Sequence, residues 1–349
     1  MHIRNYRTSI LLVLTFSVLL STFWFFPSFA FIIFISMLME LLLNPAVEFF
    51  VKRKIPRSVA AGFVMLCFVT AAFFVFAVVS GTLIPTFTSF VEDFPRLAGK
   101  LQQLPYLHDS EFITEEFDNV WNELVAYSVT AVRSSLGLII NIFNKFVDVV
   151  IILFVTFYLL KDGDFIARYL ASLFPNNDYE RVLRLFYRIL DALSVYVRSQ
   201  LIICAITGAI VFIYFTLRDL PYASVFAVVS GISEFVPVLG PTVASAFGTM
   251  LTATRSPMVA VQTLGFYVVL TQINHNIVYP TLIGKNLHLH PVAIILGIVF
   301  GGEILGAAGM FLAVPIIVIC KLVIEDVIKN RAKVRQDLIQ SRWLNRNEE

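Results

Sequence analysis

Two acidic residues, Glu234 and Glu303, each lie in the middle of a long apolar segment of this chain. An ionisable side chain inside a membrane span is costly to bury, so it commonly serves as a proton relay, an ion ligand or a substrate contact. The alternative is a carboxylate at a loop tip, in contact with water. The positions of the two acids favour the first interpretation, and both are predicted to line a transport pathway.

Both apolar segments are interrupted by glycine and proline. Segments 222–254 and 291–322 contain the strings GISEFVPVLGP and GIVFGGEILGAAG, respectively. Each segment is longer than one bilayer crossing and shorter than two. Paired interruptions of this kind indicate a transporter's binding site, because broken helices expose backbone groups at membrane depth. The residues predicted to line the pathway at these breaks are Glu234, Pro237, Gly240, Pro241, Gly301, Gly302 and Glu303.

A polar stripe lies between the two breaks, in the string TQINHNIVYP. With about 3.6 residues per helical turn, four of its side chains share one broad face, and a fifth lies beside them. The stripe is predicted to line the same pathway, the alternative being hydrogen bonds that join neighbouring spans. Its residues are Gln272, Asn274, His275, Asn276 and Tyr279. No metal-ligand spacing accompanies His275, so no metal site is predicted.

The composition explains what must position these residues. Hydrophobic residues make up 58% of the chain and charged residues 14%, whereas soluble proteins carry roughly 25% charged residues. This excludes a soluble enzyme and a disordered chain, and the net charge of +2 argues against a nucleic-acid partner. The predicted fold class is all-α, a polytopic protein with about six to eight transmembrane helices in a lipid bilayer.

The apolar runs and their flanking charges predict an orientation. A short helical hairpin around Pro27 is preceded by Arg4 and Arg7 and followed by a basic stretch at 52–57, and such residues favour the cytoplasmic side. Both termini are therefore predicted to be cytoplasmic. The predicted divisions are an N-terminal hairpin plus a third span at 1–84, an extracytoplasmic amphipathic helical region at 85–137, a fourth span at 138–160, a cytoplasmic loop with an interfacial amphipathic helix at 161–199, a transport core with both broken segments at 200–322, and a basic cytoplasmic tail at 323–349.

Two regions outside the predicted spans have amphipathic periodicity. The acidic external region is expected to form helices, with a kink or restart at Pro95. It either gates an opening or joins subunits, which would make the protein a homo-oligomer, or it caps its own spans. The cytoplasmic helix is expected to lie in the membrane interface. Its apolar stripe consists of Val182, Leu185, Ile189, Leu193 and Tyr196.

The two broken segments allow two topologies. Either both cross the bilayer as bent helices, or each folds back as a re-entrant hairpin, the first from outside and the second from inside. The two topologies differ in the side on which Gly284 to His290 lies. The matched lengths of the segments and Lys285 favour the re-entrant topology.

The sequence resembles the autoinducer-2 exporter, or PerM-like, family of bacterial membrane proteins over nearly its whole length. The resemblance is carried by EFVPVLGP at 234–241, YPTLIGKNLHLHP at 279–291 and GGEILGAAGMFLAVP at 301–315. It implies a multispan transporter that exports the signal autoinducer-2 in some members and resembles a sodium or lithium/proton antiporter in others. Many members carry an acid where this chain has Asn274 and a small residue where it has His275, which puts ion coupling through that acid in doubt.

The expected function is secondary transport, the export of a small polar metabolite or signal, with a proton or Na⁺ as the coupling ion and no cofactor. The alternatives are a sodium or lithium/proton antiporter and a membrane scaffold that transports nothing. A third alternative is an intramembrane hydrolase, because Gly231 and Ser233 form a G-x-S pattern and His275 is available as a base. No third group that would orient this base is evident, which weighs against a hydrolase. No GxxxxGK[ST] motif occurs, so ATP-driven transport would need another subunit.

Overall fold

The structure, a computed structural model, describes residues 2–102, 146–175, 178–237, 239–283 and 289–347. All regular secondary structure in these ranges is helical, which confirms the all-α fold class. The helices are α1 (His2–Phe25), α2 (Pro27–Val51), α3 (Arg57–Gln102), α4 (Phe146–Ser172), α5 (Tyr179–Leu217), α6 (Ala223–Ser233), α7 (Leu239–Ala253), α8 (Pro257–Ile273), a π-helical turn (Asn274–Val278), α9 (Tyr279–Ile283), α10 (Pro291–Leu305) and α11 (Ala307–Asn347).

Several of these helices have the length and composition of membrane spans. Within the described ranges, four qualify: α2, the part of α3 from Arg57 to Phe74, α5, and the part of α11 from Ala307 to Ala332. Helices α6 and α10 are equally apolar but shorter. A membrane protein is therefore confirmed, while the total of six to eight spans stays a prediction.

Proline sets the start of three helices. Pro27, Pro257 and Pro291 each occupy the first turn, where a missing N–H costs nothing. At α8 the Ser256 side chain accepts a hydrogen bond from the Met258 backbone N–H at 3.3 Å. This satisfies one of the unpaired donors at a helix start.

The described residues form two compact units. The first unit comprises residues 1–65, 151–198 and 285–349, and the second comprises 66–150 and 199–284. The core of the first unit joins α1, α2, α5 and α11. Its fully buried members include Leu12, Val182, Leu193, Leu312 and Val318.

The core of the second unit is aromatic. Phe215 of α5 stacks on Phe226 of α6 with ring centroids 4.9 Å apart. Tyr214 stacks on Phe266 of α8 at 3.9 Å. These contacts fix α5, α6 and α8 against one another around the residues described below.

The helices cross several of the predicted boundaries. Helix α3 continues to Gln102 without interruption at Pro95, so no restart separates the third span from the start of the external region. Helix α4 continues past Leu160 to Ser172, and α5 joins the predicted cytoplasmic helix to the fifth span. The basic tail continues α11. The rest of the external region and the start of the fourth span lie outside the described residues.

The apolar stripe predicted for the membrane interface is buried in protein instead. All five of its residues have exposed fractions of 6% or less, and they pack in the core of the first unit. The amphipathic period of this stretch therefore reflects burial against α1, α2 and α11 and needs no lipid.

Both broken segments are helical hairpins. Helix α6 packs against α7, and α10 packs against α11. In the second hairpin the chain turns at Gly306, whose φ of 58° lies in the region that favours glycine. With about 1.5 Å of rise per residue, α6 is roughly 16 Å long and α10 roughly 22 Å, against about 30 Å for the hydrocarbon core. Neither helix alone reaches across a bilayer.

Candidate functional site

Glu234 lies at the tip of the first hairpin, immediately after α6 ends at Ser233. Its exposed fraction is 3%, so the carboxylate is buried within the second unit. Its backbone N–H still bonds to the Gly231 carbonyl oxygen at 3.3 Å. The hairpin turn thus carries a carboxylate into the protein interior instead of presenting it to solvent.

Neutral side chains from α5, the π-helical turn and α9 hold Glu234. The Thr207 hydroxyl of α5 donates to Oε1 at 3.0 Å, and Asn274 Nδ2 donates to the same oxygen at 2.8 Å. The Tyr279 hydroxyl donates to Oε2 at 3.4 Å. Gln200 Nε2 donates to the Glu234 backbone oxygen at 2.6 Å. The three donors to the side chain, Thr207, Asn274 and Tyr279, stabilise the ionised carboxylate.

The carboxylate has no strong counter-charge. In the part of the chain that the structure describes, no lysine or arginine pairs with Glu234, and His275 is the basic group that acts on it. His275 is itself exposed. A buried carboxylate without an ion-pair partner carries a large desolvation cost, so the site is suited to bind a proton or a monovalent cation.

The π-helical turn determines which polar side chains face inward. It begins at Asn274 and lies between α8 and α9. Asn274 has an exposed fraction of 1%, whereas Gln272, His275 and Asn276 are exposed. Single π turns inside helices are frequent at functional sites. Here the turn directs Asn274 and Tyr279 to the same carboxylate.

The exposed part of the predicted stripe is held locally. Asn276 Nδ2 donates to Gln272 Oε1 at 3.0 Å. The His275 ring packs edge-on against Tyr279 with centroids 5.6 Å apart. The structure therefore divides the stripe, with Asn274 and Tyr279 at the buried site and the other three residues on the outer face.

A small cavity adjoins Glu234. Its volume of about 10 Å³ is at the lower limit of what one water molecule needs. Hydroxyl groups dominate its polar lining, and the Ser230 and Tyr267 hydroxyls lie 3.0 Å apart. The polar side chains that line it are Thr207, Ser230, Ser233, Glu234, Tyr267 and Thr271.

Close packing of glycines fixes the hairpin on α5. A Cβ atom placed on Gly231 would lie 2.9 Å from the Cys204 carbonyl oxygen, and one on Gly208 would lie 3.0 Å from the Ala227 carbonyl oxygen. Small residues at a helix crossing let the two backbones approach closely. This crossing places Thr207 beside the tip of the hairpin.

The remaining residues of the first break shape the turn. Gly240 faces the Ser233 carbonyl oxygen so closely that any side chain would collide with it. Pro241 lines the cavity, and the Pro237 carbonyl oxygen accepts a hydrogen bond from the Leu239 N–H at 2.9 Å. These residues close the hairpin rather than touch the carboxylate.

The second break lies in the first unit and is built differently. Gly301 of α10 meets Gly309 of α11 backbone to backbone, and a Cβ on Gly302 would meet the Met310 side chain. Glu303 is exposed on α10. The glycines have a clear packing role, whereas the part of Glu303 in a pathway stays a prediction.

Two site residues, Gln200 and Thr207, were missed by the sequence analysis. They are seven positions apart on α5, which places them on one face of the helix. Both are almost completely buried. The available signal was the spacing of two isolated polar residues on an apolar helix. Cys204 lies between them, and Gly208 follows Thr207 directly.

Comparison with known proteins agrees with this architecture. The chain is 28% identical to YueF of Bacillus subtilis, over 92% of this chain and 88% of YueF. It is 25% identical to YrrI of the same organism, over 90% and 91%, and 24% identical to YhhT of Escherichia coli, over 83% and 82%. The names of all three describe them as candidate transport proteins. The sequence model described as AI-2E family transporter matches residues 12–329. The chain therefore belongs to the AI-2E family of membrane transporters.

Proposed function

We propose that this protein is a secondary transporter that exports a small polar metabolite or signal, such as autoinducer-2, in exchange for or together with a proton or Na⁺. The observation that carries this proposal is Glu234, a carboxylate buried at a hairpin tip among neutral partners. A structural ion pair would supply a cationic neighbour. A site that must take up and release a positive ion needs the arrangement seen here.

The hairpins support a re-entrant arrangement for this transporter. The helices α6, α7 and α10 contain 11, 15 and 15 residues, fewer than the roughly 20 that a crossing requires, whereas α11 alone of the four hairpin helices has a stretch long enough to cross, from Ala307 to Ala332. We therefore propose that segments 222–254 and 291–322 each enter and leave the membrane on one side, with both termini in the cytoplasm of a bacterium.

The transport proposal is tested by flux in proteoliposomes. Purified protein is reconstituted, a pH or Na⁺ gradient is imposed, and uptake of candidate polar solutes is measured. Glu234→Gln is expected to abolish gradient-driven flux, because the amide cannot bind the ion. Glu180→Gln is the matched control, since Glu180 is 82% exposed and lies outside the site. Flux unaffected by Glu234→Gln would remove Glu234 from the mechanism.

The same preparation separates the other functions. Proton movement driven by Na⁺ or Li⁺, without any organic solute, would identify an antiporter. No flux of any kind, in protein that is folded and correctly inserted, would favour a scaffold.

The hydrolase alternative depends on Ser233. In the described structure its hydroxyl donates to the Ser230 carbonyl oxygen at 2.8 Å, and no hydrogen bond joins it to His275. Ser233→Ala is therefore expected to leave flux intact. Flux that is lost in Ser233→Ala but retained in Glu234→Gln would support hydrolysis instead.

The topology is tested by cysteine labelling at position 286. The three native cysteines, Cys67, Cys204 and Cys320, are first replaced by serine or alanine, and Asn286→Cys is then introduced. Labelling from the cytoplasmic side supports re-entrant hairpins. Labelling from outside would mean that both segments cross the bilayer.

A further inference from the structure

We propose that the coupling ion is a proton, that Glu234 carries it, and that the Asn274 side-chain amide reverses its orientation to accept the resulting O–H hydrogen bond. This inference rests on the proposed transport function and specifies its ion and its carrier.

The directions of the hydrogen bonds favour a proton over a metal cation. Thr207 and Asn274 both direct hydrogen atoms at Glu234 Oε1, and Tyr279 directs one at Oε2. A bound Na⁺ needs several oxygen lone pairs directed at one point. Around this carboxylate the neighbours present donors, and the space beside it admits about one water molecule.

The buried oxygen of Asn274 supplies the second observation. Asn274 Oδ1 has no hydrogen-bond partner in the described structure, and the same holds for Gln200 Oε1. An unpaired buried acceptor costs about 1 to 3 kcal/mol. Both oxygens belong to amides that bond to Glu234, one at the carboxylate and one at the backbone. The site therefore contains hydrogen-bond acceptors for an additional O–H group on Glu234.

Amide reversal accounts for that proton without breaking the site. When a proton from bulk solvent, relayed by a water molecule that is itself left unchanged, forms an O–H bond at Glu234 Oε1, the Asn274 amide turns by half a rotation, so that Oδ1 replaces Nδ2 at 2.8 Å from Oε1. The acid then donates to Oδ1, and the Thr207 hydroxyl can donate to Oδ1 as well. The nitrogen takes the place that Oδ1 held. One buried amide atom is unpaired in either state, so reversal adds no unpaired group.

The surroundings of Glu234 contain few other titratable groups. Helix α5 contributes Cys204, α8 contributes Tyr267 at the cavity, and the π turn and α9 contribute His275 and Tyr279. No arginine or lysine of the described residues is among them. The hydroxyl-lined cavity provides the place from which a water molecule can deliver the proton to Glu234.

The test is infrared difference spectroscopy of the purified chain in lipid nanodiscs during a pH titration. In the wild-type protein, a protonated-carboxyl band is expected to disappear as the pH rises, together with a change in a side-chain amide band. Glu234→Gln should remove one component of this carboxyl band, while the matched control Glu180→Gln keeps that component. Glu234→Asp, which retains a carboxyl group, should shift the band and guards against a folding defect in the glutamine variant.

A matched pair of asparagine variants in the π-helical turn tests the assignment of the amide band. Asn274→Leu should lose the amide change, whereas Asn276→Leu, an exposed asparagine two residues away, should retain it. An amide change that survives Asn274→Leu, or is missing in the wild type, overturns the reversal. A carboxyl band that Glu234→Gln leaves unchanged overturns Glu234 as the carrier.

A third arm adds Na⁺ at constant pH. No change in the carboxyl band is expected. Loss of the band on adding Na⁺ would mean that the cation displaces the proton, and would overturn the assignment of the ion. These spectra need no gradient, so they are independent of flux. Flux without the band refutes only this inference, and the band without flux refutes only the proposed function.

Discussion

The crossing of α5 and α6 offers a test of how tightly the first hairpin must pack. In Gly231→Ala the new Cβ would lie 2.9 Å from the Cys204 carbonyl oxygen, and ordinary contact begins at 3.4 Å. The two backbones must therefore separate by about 0.5 Å, the difference between these distances. Overpacking of this kind costs about 1 to 3 kcal/mol, which exceeds the gain of up to about 1 kcal/mol from replacing glycine by alanine in a helix.

The expected result is a loss of roughly 1 to 2 kcal/mol in the free energy of unfolding. The measurement is unfolding of the purified protein in a denaturing detergent titration. Gly265→Ala is the matched control, because nothing lies within 4 Å of its Cβ position, and it should gain stability by up to about 1 kcal/mol. Proton-coupled flux should also fall in Gly231→Ala, since the Thr207 to Glu234 bond of 3.0 Å would lengthen. Equal stability of the two alanine variants would refute the tight crossing.

Three further variants test other contacts by the same unfolding measurement. Gly306→Ala should cost about 1 to 3 kcal/mol, because its φ of 58° strains any other residue; an unchanged free energy of unfolding would contradict this turn geometry. Arg57→Lys should cost about 1 to 3 kcal/mol, because lysine cannot reproduce the fork that bonds the Leu160 carbonyl oxygen at 2.8 Å and three side chains; full stability would show that the fork is dispensable. Arg188→Gln should cost no more than about 1 kcal/mol, and less in high salt, because the side chains of Arg188 and its partner Glu325 are 47% and 33% exposed; a larger effect that salt does not reduce would contradict a surface role.

The positions of both breaks could be predicted from the sequence. Glycine and proline inside apolar runs have few structural explanations other than a turn, and the turns occur after Ser233 and at Gly306. The same reasoning identified Glu234, Asn274 and Tyr279, which the structure brings together. A buried acid and a polar stripe are visible because they interrupt an apolar background.

The contacts across the site could not be predicted, because they depend on tertiary packing. Gln200 and Thr207 reach Glu234 only through the crossing of α5 and α6. Periodicity also could not tell which surface covers an amphipathic face. The stripe around Leu185 has the pattern of an interfacial helix, yet protein covers it. Helix ends were misplaced where polar residues continue a helix beyond its apolar part, as at Lys161.

The extra residue accommodated by the π turn has a consequence for how sequences in this segment can vary. Each residue of a regular helix rotates the following side chain by about 100°. Deleting a single residue between Asn274 and Val278 would allow an uninterrupted α-helix with Tyr279 close to its present phase, whereas rewinding all five residues as α-helix would swing Tyr279 about a quarter turn away from Glu234. The extra residue and the wider turn compensate each other, so losing one without the other alters the phase of the whole distal segment.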